Sequence, residues 1–541
     1  MAEYDYIIVG AGSAGCVLAN RLSADPRIRV LLIEAGPPDS HFYFRIPMGY
    51  GKTLKDPRFV WHMPTEPDEG NANSGTVWVR GKALGGSSSV NGMMYFRGQP
   101  QDYDDWEKHG ATGWGWDHIG PCFKAMEDHE LGATANRGVG GPVHVSISPR
   151  RSPLTDAVIE AAGRLGVPRK DDLNEIARDG DQMGIGYTPT TINRGVRVSA
   201  ATSFLNAAKQ RSNLVILTET MVEHILFEGR RAIGVSCNTK GQRRRFHAAE
   251  VILSGGTLMS PAILQRSGVG PASHLRSLGI EVIADNPGVG SNLHEHKIMM
   301  LQWRLLGRLG DNHRLRGIGL ARSAVDYMLN RKGVLASSLP VTAFIRTEPG
   351  LERANAEIMV QPHSMENWQG LQAEPQIERK PGFSILGYPT RPRSVGRVLI
   401  RSTDADEMPE ITSNHLTDDE DVRATIGMVR FIRRLLQQEP LSVLVGDEIG
   451  PGAHMESDSE IVDACRRDRY MGGHASGTCK IGQDRLAVVD ERLRVRGVEA
   501  LRVMDLSVAP TPTSGNTNGP VMAMAMHASD ILLEDRALVR A

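Results

Sequence analysis

The chain has 541 residues, of which 40% are hydrophobic and 23% are charged, values typical of an ordinary globular protein with two or three domains. Its 62 basic and 63 acidic residues nearly cancel, which gives no support for a nucleic-acid surface, and no apolar run is long enough for an integral membrane segment. Five scattered cysteines without metal-type pairing and a first strand close to Met1 predict no metal site and a cytoplasmic location.

A strand–helix–strand unit opens the chain. The apolar, β-branched run Tyr4–Val9 predicts a buried strand, residues 13–24 predict a helix, and Val30–Ile33 predicts a second buried strand that ends on Glu34. Between the first strand and the helix lies Gly10-Ala-Gly-Ser-Ala-Gly15. A Gly-x-Gly-x-x-Gly turn in this context, with an acid about twenty residues later, predicts a dinucleotide site.

Each residue of this unit has a physical role. Gly10 allows the tight turn, Gly12 lets the backbone approach a pyrophosphate, and Gly15 lets the helix pack closely on the strand. The helix N-terminus offers unpaired N–H groups to the phosphates. Glu34 accepts hydrogen bonds from ribose hydroxyls, and its charge repels the extra phosphate of NADP. The unit leaves open whether the dinucleotide is FAD or NAD.

A second glycine-rich stretch runs from Arg80 to Gly98. Its glycines, three serines and an asparagine offer many backbone and hydroxyl donors to a phosphate or a ribityl chain. We interpret it as a turn that leads into an apolar helix, which is a geometry that binds anions. A flexible loop is the alternative.

Later segments return to strands and helices. The runs Leu214–Leu217, 232–236 and 250–253 predict strands, and the turn at 254–257 predicts a helix that starts at Ser260. Between residues 300 and 390 charged, irregular segments alternate with short β-like runs such as Val341–Ile345, which indicates a second domain. The helix predicted at 417–438 opens on Thr417-Asp-Asp-Glu420, a capping-box pattern.

The C-terminal part again has the character of a nucleotide-binding domain. Residues 501–505 predict a strand that ends on an acid, Asp505. The turn Ser514-Gly-Asn-Thr-Asn-Gly-Pro520 then precedes a predicted amphipathic helix, with Pro520 suited to its first position.

These motifs resemble blocks of the glucose–methanol–choline (GMC) flavin oxidoreductases and follow the family's order from residue 5 to about 530, with the poorest match at 300–390. The matching blocks are 81–95 followed by Asp102-Tyr-Asp-Asp-Trp106, 256–270, 288–296, 473–482 and 501–520.

The resemblance implies that the dinucleotide is FAD. It places the isoalloxazine near Val90 to Met94, the adenine near Val222, and the flavin's pyrimidine edge at the turn 516–520. Some members tether FAD through a histidine at the position of Val90, so we expect non-covalent FAD here. The cofactor-binding residues implied are Gly10, Gly12, Ser13, Ala14, Gly15, Glu34, Ala35, Trp61, Gly85, Gly86, Ser87, Val90, Asn91, Gly92, Met93, Met94, Val222, Asp505, Asn516, Thr517 and Pro520.

Oxidation of an alcohol needs a base for the hydroxyl proton and an acceptor for the hydride of the carbinol carbon. The block that begins at Gly473 carries the family's catalytic histidine, which implies that His474 is this base, with a pH dependence of one ionisation. The resemblance implies Asn518 as its partner, donating to the developing alkoxide. His296 is the next candidate for the base.

The residues around His474 predict the substrate class. Gly472 and Gly473 leave room for a primary alcohol bulkier than a short alkanol, an aromatic alcohol included, and Ala475 makes the loop less constrained. The block Gly333–Ile345 lacks the polar residues expected for choline.

The fold class expected is α/β. It combines a discontinuous Rossmann-like FAD domain (1–155, 200–300 and 465–541) with a substrate domain (156–199 and 301–464) that contains an antiparallel sheet flanked by helices. The activity expected is that of an FAD-dependent alcohol dehydrogenase or oxidase.

Three alternatives stay open. One is an FAD-containing lyase of the hydroxynitrile type, another is choline dehydrogenase, and the third is an NAD-dependent dehydrogenase, which leaves residues 81–98 and 472–520 unexplained. The electron acceptor, oxygen or a quinone or other carrier, and the oligomeric state, monomer or dimer, stay open as well.

Overall fold

The computed structural model describes residues 3–178, 180–366 and 376–540, so the ends of the predicted FAD domain at residues 1 and 541 lie outside the described residues. Within these ranges, the two largest sheets contain seven and six strands. In chain order they are β1 (Tyr4–Val9), β2 (Val30–Ile33), β3 (Gly184–Tyr187), β4 (Leu214–Leu217), β5 (Thr220–Glu228), β6 (Arg231–Thr239), β7 (Gln242–Leu253), β8 (Met299–Leu305), β9 (Val341–Ile345), β10 (Ala356–Gln361), β11 (Gly382–Pro389), β12 (Val445–Gly450) and β13 (Leu501–Val503).

The principal helices are α1 (Ser13–Leu22), α2 (Pro100–Lys108), α3 (Trp116–Met126), α4 (Pro153–Arg164), α5 (Gly256–Arg266), α6 (Gly317–Asn330), α7 (Asp419–Leu436), α8 (Asp458–Arg467) and α9 (Asn518–Arg540). Shorter strand pairs flank the two sheets: Val60–Pro64 with Val77–Gly81, Ile192–Asn193 with Val196–Arg197, Val269–Gly270 with Ala284–Asp285, Met365–Glu366 with Gln376–Ile377, and Arg397–Leu399 with Glu410–Thr412. No helix within the described ranges is long and apolar enough to cross a bilayer.

The first sheet has the strand order β4-β2-β1-β7-β6-β5, and β13 pairs with the C-terminal part of β7. The strands β4, β2, β1, β7 and β13 run parallel to one another. The strands β7, β6 and β5 form an antiparallel meander. β1 and β2 are apolar almost throughout because helices and loops cover both faces of the parallel part, where α1 packs against α9. All three segments of the predicted FAD domain contribute strands to this sheet.

The second sheet is antiparallel, with the order β12-β8-β11-β10-β9-β3. One of its faces forms an apolar core with α4, α7 and α8. The strand β3 comes from the predicted segment 156–199, and β9 to β12 come from 301–464. The strand β8 begins at Met299, so the boundary predicted at residue 300 would fall inside a strand. The mixed α/β architecture, with one Rossmann-like sheet and one antiparallel sheet, confirms the predicted fold class.

Local structure differs from the sequence prediction at three helix starts. The helix α5 begins at Gly256 rather than Ser260, because Asp505 accepts a hydrogen bond from the Gly256 N–H and Pro261 fits within the first turns. Asp418, not Thr417, caps α7 through the N–H of Glu420. The helix α9 begins at Asn518, so Pro520 is its third residue.

Candidate active site

A cavity of about 1420 Å³ lies between the two sheets and is lined by residues of both. It starts at the carboxyl ends of β1 and β2, which is where ligands bind in open parallel sheets. Predicted site residues that line it are Gly10, Gly12, Ser13, Ala14, Glu34, Ala35, Trp61, Gly86, Ser87, Val90, Asn91, Gly92, Met93, Met94, Val222, His474, Asp505, Asn516, Thr517 and Asn518.

The glycine turn after β1 has the geometry of a pyrophosphate site. Gly10 has φ +100°, and a Cβ there would lie 2.4 Å from the Ser254 carbonyl oxygen. A Cβ on Gly15 would lie 1.9 Å from the Gly10 oxygen, whereas a Cβ on Gly12 would meet no atom within 4 Å. Gly12 precedes α1 without a capping side chain, so its backbone and the first N–H groups of α1 face an open space suited to phosphate.

Glu34 lies at the end of β2 and is buried. Its Oε2 accepts the N–H of Ala11 and its Oε1 accepts the N–H of Gly36, both at 2.9 Å. Burial raises the pKa of this carboxyl group to about 7, and the two N–H donors oppose that rise. Each oxygen keeps a lone pair, so Glu34 fits the predicted role as acceptor for ribose hydroxyls.

Asp505 follows β13 in the chain, and its side chain forms hydrogen bonds with the first residues of α5. Its Oδ2 accepts the Gly256 N–H at 2.8 Å and the Ser260 hydroxyl at 2.5 Å, and its Oδ1 accepts the Ser507 N–H at 2.8 Å. Both carboxylate oxygens therefore already accept hydrogen bonds from groups of the protein. The role that the geometry supports for Asp505 is to position this wall of the cavity.

The stretch after Gly85 is not the start of a helix, contrary to our interpretation of residues 80–98. It forms a short 3-10 turn at Gly86–Ser89 and then continues without a helix up to residue 99. A Cβ on Gly86 would lie 2.7 Å from the Cα of Gly12, so this turn needs glycine to approach the first one. Because the turn joins the wall beside Gly12, the two glycine-rich motifs form one surface.

Val90, Asn91 and Met93 follow this turn along the cavity. Val90 presents a buried apolar side chain that cannot form a covalent link to a cofactor. The Asn91 Oδ1 accepts the Met93 N–H at 3.0 Å and a hydrogen bond from Arg197 at 2.7 Å. The buried Arg197 fixes this segment, and nothing in the local sequence pattern indicated it.

Three of the predicted cofactor residues do not line the cavity. Gly15 packs α1 on β1, Gly85 has φ +89° and donates its N–H to the Ala11 oxygen, and Pro520 lies inside the first turn of α9. They support the backbone segments that form the cavity walls and do not line the cavity themselves. Their predicted direct contact with the cofactor is corrected to a supporting position.

His474 is buried, lines the same cavity and takes part in a chain of hydrogen bonds. Its Nδ1 lies 2.9 Å from Nδ1 of His296, and Nε2 of His296 lies 2.9 Å from the carbonyl oxygen of Thr390. Its Nε2 lies 2.9 Å from Nδ2 of Asn516. Tyr388 stacks on the His296 ring at 4.5 Å and holds that ring in place.

This chain determines the tautomer of each imidazole. A carbonyl oxygen only accepts, so His296 carries its proton on Nε2 and presents an unprotonated Nδ1. The Nδ1 of His474 must then be the donor, which leaves the lone pair of its Nε2 free to accept. An amide Nδ2 only donates, so the contact with Asn516 agrees with this assignment.

Both imidazoles are neutral near pH 7. Burial lowers the pKa of His474 well below the usual value, and the nearby His296 and Arg80 lower it further. Burial likewise lowers the pKa of His296 to about 4. The Nε2 atom of His474 is therefore unprotonated, and its lone pair accepts the hydrogen bond of the Asn516 amide.

A buried carboxylate, that of Glu295, binds the backbone of both histidines. The Oε1 of Glu295 accepts the backbone N–H of His474 at 2.6 Å and that of His296 at 3.0 Å, and its Oε2 pairs with Arg80 at 3.0 Å. Burial raises the pKa of Glu295, and Arg80 and the two N–H donors oppose that rise. Glu295 and His296 lie in the block 288–296, and spacing alone did not indicate their contact with His474.

The loop at 472–476 differs from its predicted form. A Cβ on Gly472 would lie 2.7 Å from Nδ1 of His474, so the absence of a side chain there serves the histidine pair rather than the substrate. Gly473, at φ +74°, lines the cavity, and a Cβ there would lie 3.8 Å from Nη1 of Arg80. The loop is also not loosely held, since Gly472 and Ser476 hydrogen-bond to the backbone of His296 and His294.

The predicted partner of His474 is corrected from Asn518 to Asn516. Asn518 is the first residue of α9, and its Oδ1 accepts the Ser13 hydroxyl at 2.7 Å, which ties α9 to the start of α1. Asn516 holds Nε2 of His474, and its own Oδ1 is buried without a partner among the described residues. That unsatisfied oxygen on the cavity wall is suited to a ligand atom.

Comparisons with known proteins agree with this architecture. Models of the GMC oxidoreductase family match residues 4–298 and 392–525. This chain belongs to the GMC oxidoreductase family. It is therefore an FAD-dependent oxidoreductase that acts on alcohols.

Several relatives extend over the whole chain. Choline dehydrogenase, mitochondrial, from Homo sapiens is 38% identical over 99% of this chain and 91% of its own length. Oxygen-dependent choline dehydrogenase from Burkholderia lata is 39% identical over 99% of this chain and 95% of its own length. Among solved structures, pyridoxine 4-oxidase from Mesorbium loti is 30% identical, with a TM-score of 0.85, and the match covers 98% of this chain and 99% of that one.

The exchange of Asn518 for Asn516 is testable by paired substitutions. Asn516→Ala should slow flavin reduction by an alcohol roughly a hundred- to a thousand-fold, the cost of one donor to a developing oxyanion. Asn518→Ala should have a much smaller effect because its amide holds Ser13. Anaerobic stopped-flow measurement of flavin bleaching in both variants decides between them, and equal losses would return Asn518 to the site.

Proposed function

We propose that this enzyme oxidises a primary alcohol with an apolar substituent to the aldehyde, with His474 as the base. One observation carries the proposal. The hydrogen-bond chain from Thr390 through His296 leaves the Nε2 lone pair of His474 unprotonated, in a cavity that also contains the dinucleotide-binding turn.

Each group has a distinct part in this mechanism. On binding, the substrate hydroxyl takes the place of the Asn516 amide at Nε2 of His474, which then accepts the hydroxyl proton, while the displaced Nδ2 of Asn516 donates to the oxygen as it becomes an alkoxide. When bound, FAD accepts the hydride of the carbinol carbon. The N-termini of α1 and α9 face the same cavity and favour negative charge on the cofactor.

We infer that FAD is held without a covalent bond. The residues present fit the cofactor: Gly12 leaves open space for a pyrophosphate, Glu34 accepts ribose hydroxyls, and Asn516 retains an unsatisfied oxygen. The side chain at the position where some relatives tether the flavin is Val90, which has no nucleophile.

The wall beside His474 supports an apolar substituent. Tyr388, whose ring centroid lies 5.6 Å from that of His474, belongs to an apolar cluster on the second sheet. Cavity-lining residues that belong to this cluster or pack against it are Met94, Ile298, Leu339, Met359, Leu386 and Tyr470. Such a wall favours an aryl or long alkyl group over a charged one.

Choline is the second candidate, because choline dehydrogenases are 38% to 39% identical to this chain. A quaternary ammonium needs a carboxylate or an aromatic cage. Among the described residues that line the cavity, the carboxylates are Glu34 and Asp505, and both already accept N–H groups at the cofactor end. Aromatic rings such as Tyr470 also line the cavity, so our preference for a neutral alcohol rests on the position of these two carboxylates.

A hydroxynitrile-type lyase on the same scaffold is distinguished by the flavin, because a lyase reaction does not reduce it. For reoxidation of the flavin we propose oxygen or a quinone-like carrier as acceptor, since one relative is described as oxygen-dependent.

The low pKa of His474 gives a prediction with a definite sign. Neutral imidazole is the active form, so lowering its pKa extends activity toward acid pH. The rate of flavin reduction should be level above about pH 7 and fall only below the ordinary histidine pKa of about 6.5. His474→Ala should lose about a hundred- to ten-thousand-fold in that rate while retaining bound FAD. Wild-type speed in this variant would exclude His474 from the mechanism.

The absence of a tether is tested by acid precipitation of the holoenzyme. All of the flavin should enter the supernatant, because Val90 offers no atom for a covalent link. Yellow colour that stays with the washed pellet would contradict this expectation.

The substrate proposal is tested by a panel of alcohols under anaerobic conditions. Benzylic and medium-chain primary alcohols should bleach the flavin at lower concentrations than choline, and peroxide measured after admission of air reports oxidase activity. Selective bleaching by choline would replace the apolar assignment. An absence of bleaching with every alcohol, together with cleavage of a cyanohydrin, would favour the lyase.

A further inference from the structure

The outer face of α6 is apolar where a surface helix normally carries charges. Ile318, Val325 and Leu329 lie seven and eleven residues apart on one stripe, and their side chains are 75%, 55% and 76% exposed. Met328, beside this stripe, is 78% exposed. Since isolated exposed apolar residues are common but a continuous helical face of them is not, this face requires a partner.

The opposite face of α6 borders the mouth of the cavity. Leu320, Ala324 and Tyr327 line the cavity, and Met328 lies at the edge between the two faces. Phe42 and Lys52 also line the cavity and are exposed. The apolar stripe is therefore continuous with the rim of the entrance.

Positive charge surrounds this face. Residues 306–332 contain six basic side chains, namely Arg308, Arg314, Arg316, Arg322, Arg331 and Lys332, against the two acids Asp311 and Asp326. Asp311 is largely buried and pairs with Arg150. Arg308, Arg322 and Lys332 are exposed and make no ion pair with a described residue.

We propose that α6 and its basic flanks dock this enzyme on an anionic phospholipid membrane, with the cavity mouth next to the lipid. An exposed apolar stripe beside arginines and lysines is the pattern of helices that lie in a membrane interface. A second copy is a less suitable occupant, because a two-fold contact through α6 would bring the same excess of positive charge together. The proposal is independent of the alcohol that the enzyme oxidises.

The test is flotation of the holoenzyme with phosphatidylcholine vesicles made with or without phosphatidylglycerol. The wild type should float with the anionic vesicles, and added salt should weaken the binding. The triple variant Ile318→Gln, Val325→Gln, Leu329→Gln should bind at least ten-fold more weakly because its apolar stripe is lost. Arg322→Gln should lose roughly five-fold, the effect expected of one basic charge near an anionic surface.

Matched controls use exposed residues away from α6. Leu131→Gln, Val139→Gln, Val443→Gln removes the same number of exposed apolar side chains, and Arg245→Gln removes one exposed charge. Both should float as the wild type does, and the visible flavin spectrum checks folding. Should the triple variant fail to fold, the comparison of vesicle binding between Arg322→Gln and Arg245→Gln still tests the proposal.

Three outcomes would overturn the proposal. They are a wild type that stays unbound to anionic vesicles, controls that lose as much binding as the α6 variants, and a dimer in solution that the triple variant converts to monomer without any vesicle binding. The last outcome would assign the face to a second copy of the chain.

Discussion

The hydrogen bond between the Nδ1 atoms of His296 and His474 is the contact on which the chemistry of this site depends. Two imidazole nitrogens approach to 2.9 Å only when one carries a proton and the other does not. The Thr390 carbonyl decides which, because it requires the proton of His296 on Nε2. The backbone oxygen of Thr390 thus fixes, through two rings, which nitrogen of His474 presents its lone pair to Asn516 in the cavity wall.

This arrangement requires both sheets. Asn516 comes from the turn after β13 of the first sheet, whereas Thr390 follows β11 of the second. The histidines sit on two segments joined by a backbone ladder from 294 to 297 and from 471 to 476. Because buried Glu295 binds the N–H groups of both histidines, displacement of either segment would leave a carboxylate unsatisfied, which is costly in a low-dielectric interior.

The sequence predicted the fold class and most of the residues that line the cavity, but it did not predict which residues contact His474. The Gly10 turn and Glu34 belong to a local pattern, since strand, turn and helix follow one another along the chain, and the structure has that strand, helix and second strand. The exchange of Asn518 for Asn516 was beyond such patterns: both asparagines lie in one turn, and only the direction of α9 decides which faces His474. The role of Gly472 was also hidden, because its neighbour His296 is remote in sequence.

The hydrogen bonds of the histidine chain do not include the cavity-lining side chains of the substrate wall, although Tyr388 contacts both, so the wall can differ between enzymes that act on different alcohols. The proton-accepting atom is set by backbone and ring contacts that do not involve the substrate's substituent. The wall beside it consists of side chains such as Ile298 and Met359 that point from the strands and loops of the second sheet, where exchange for a polar residue would leave the histidines in place. Identity of 38% with choline dehydrogenase therefore agrees with membership of one family, and it does not by itself assign the substrate, which we infer from the residues of that wall.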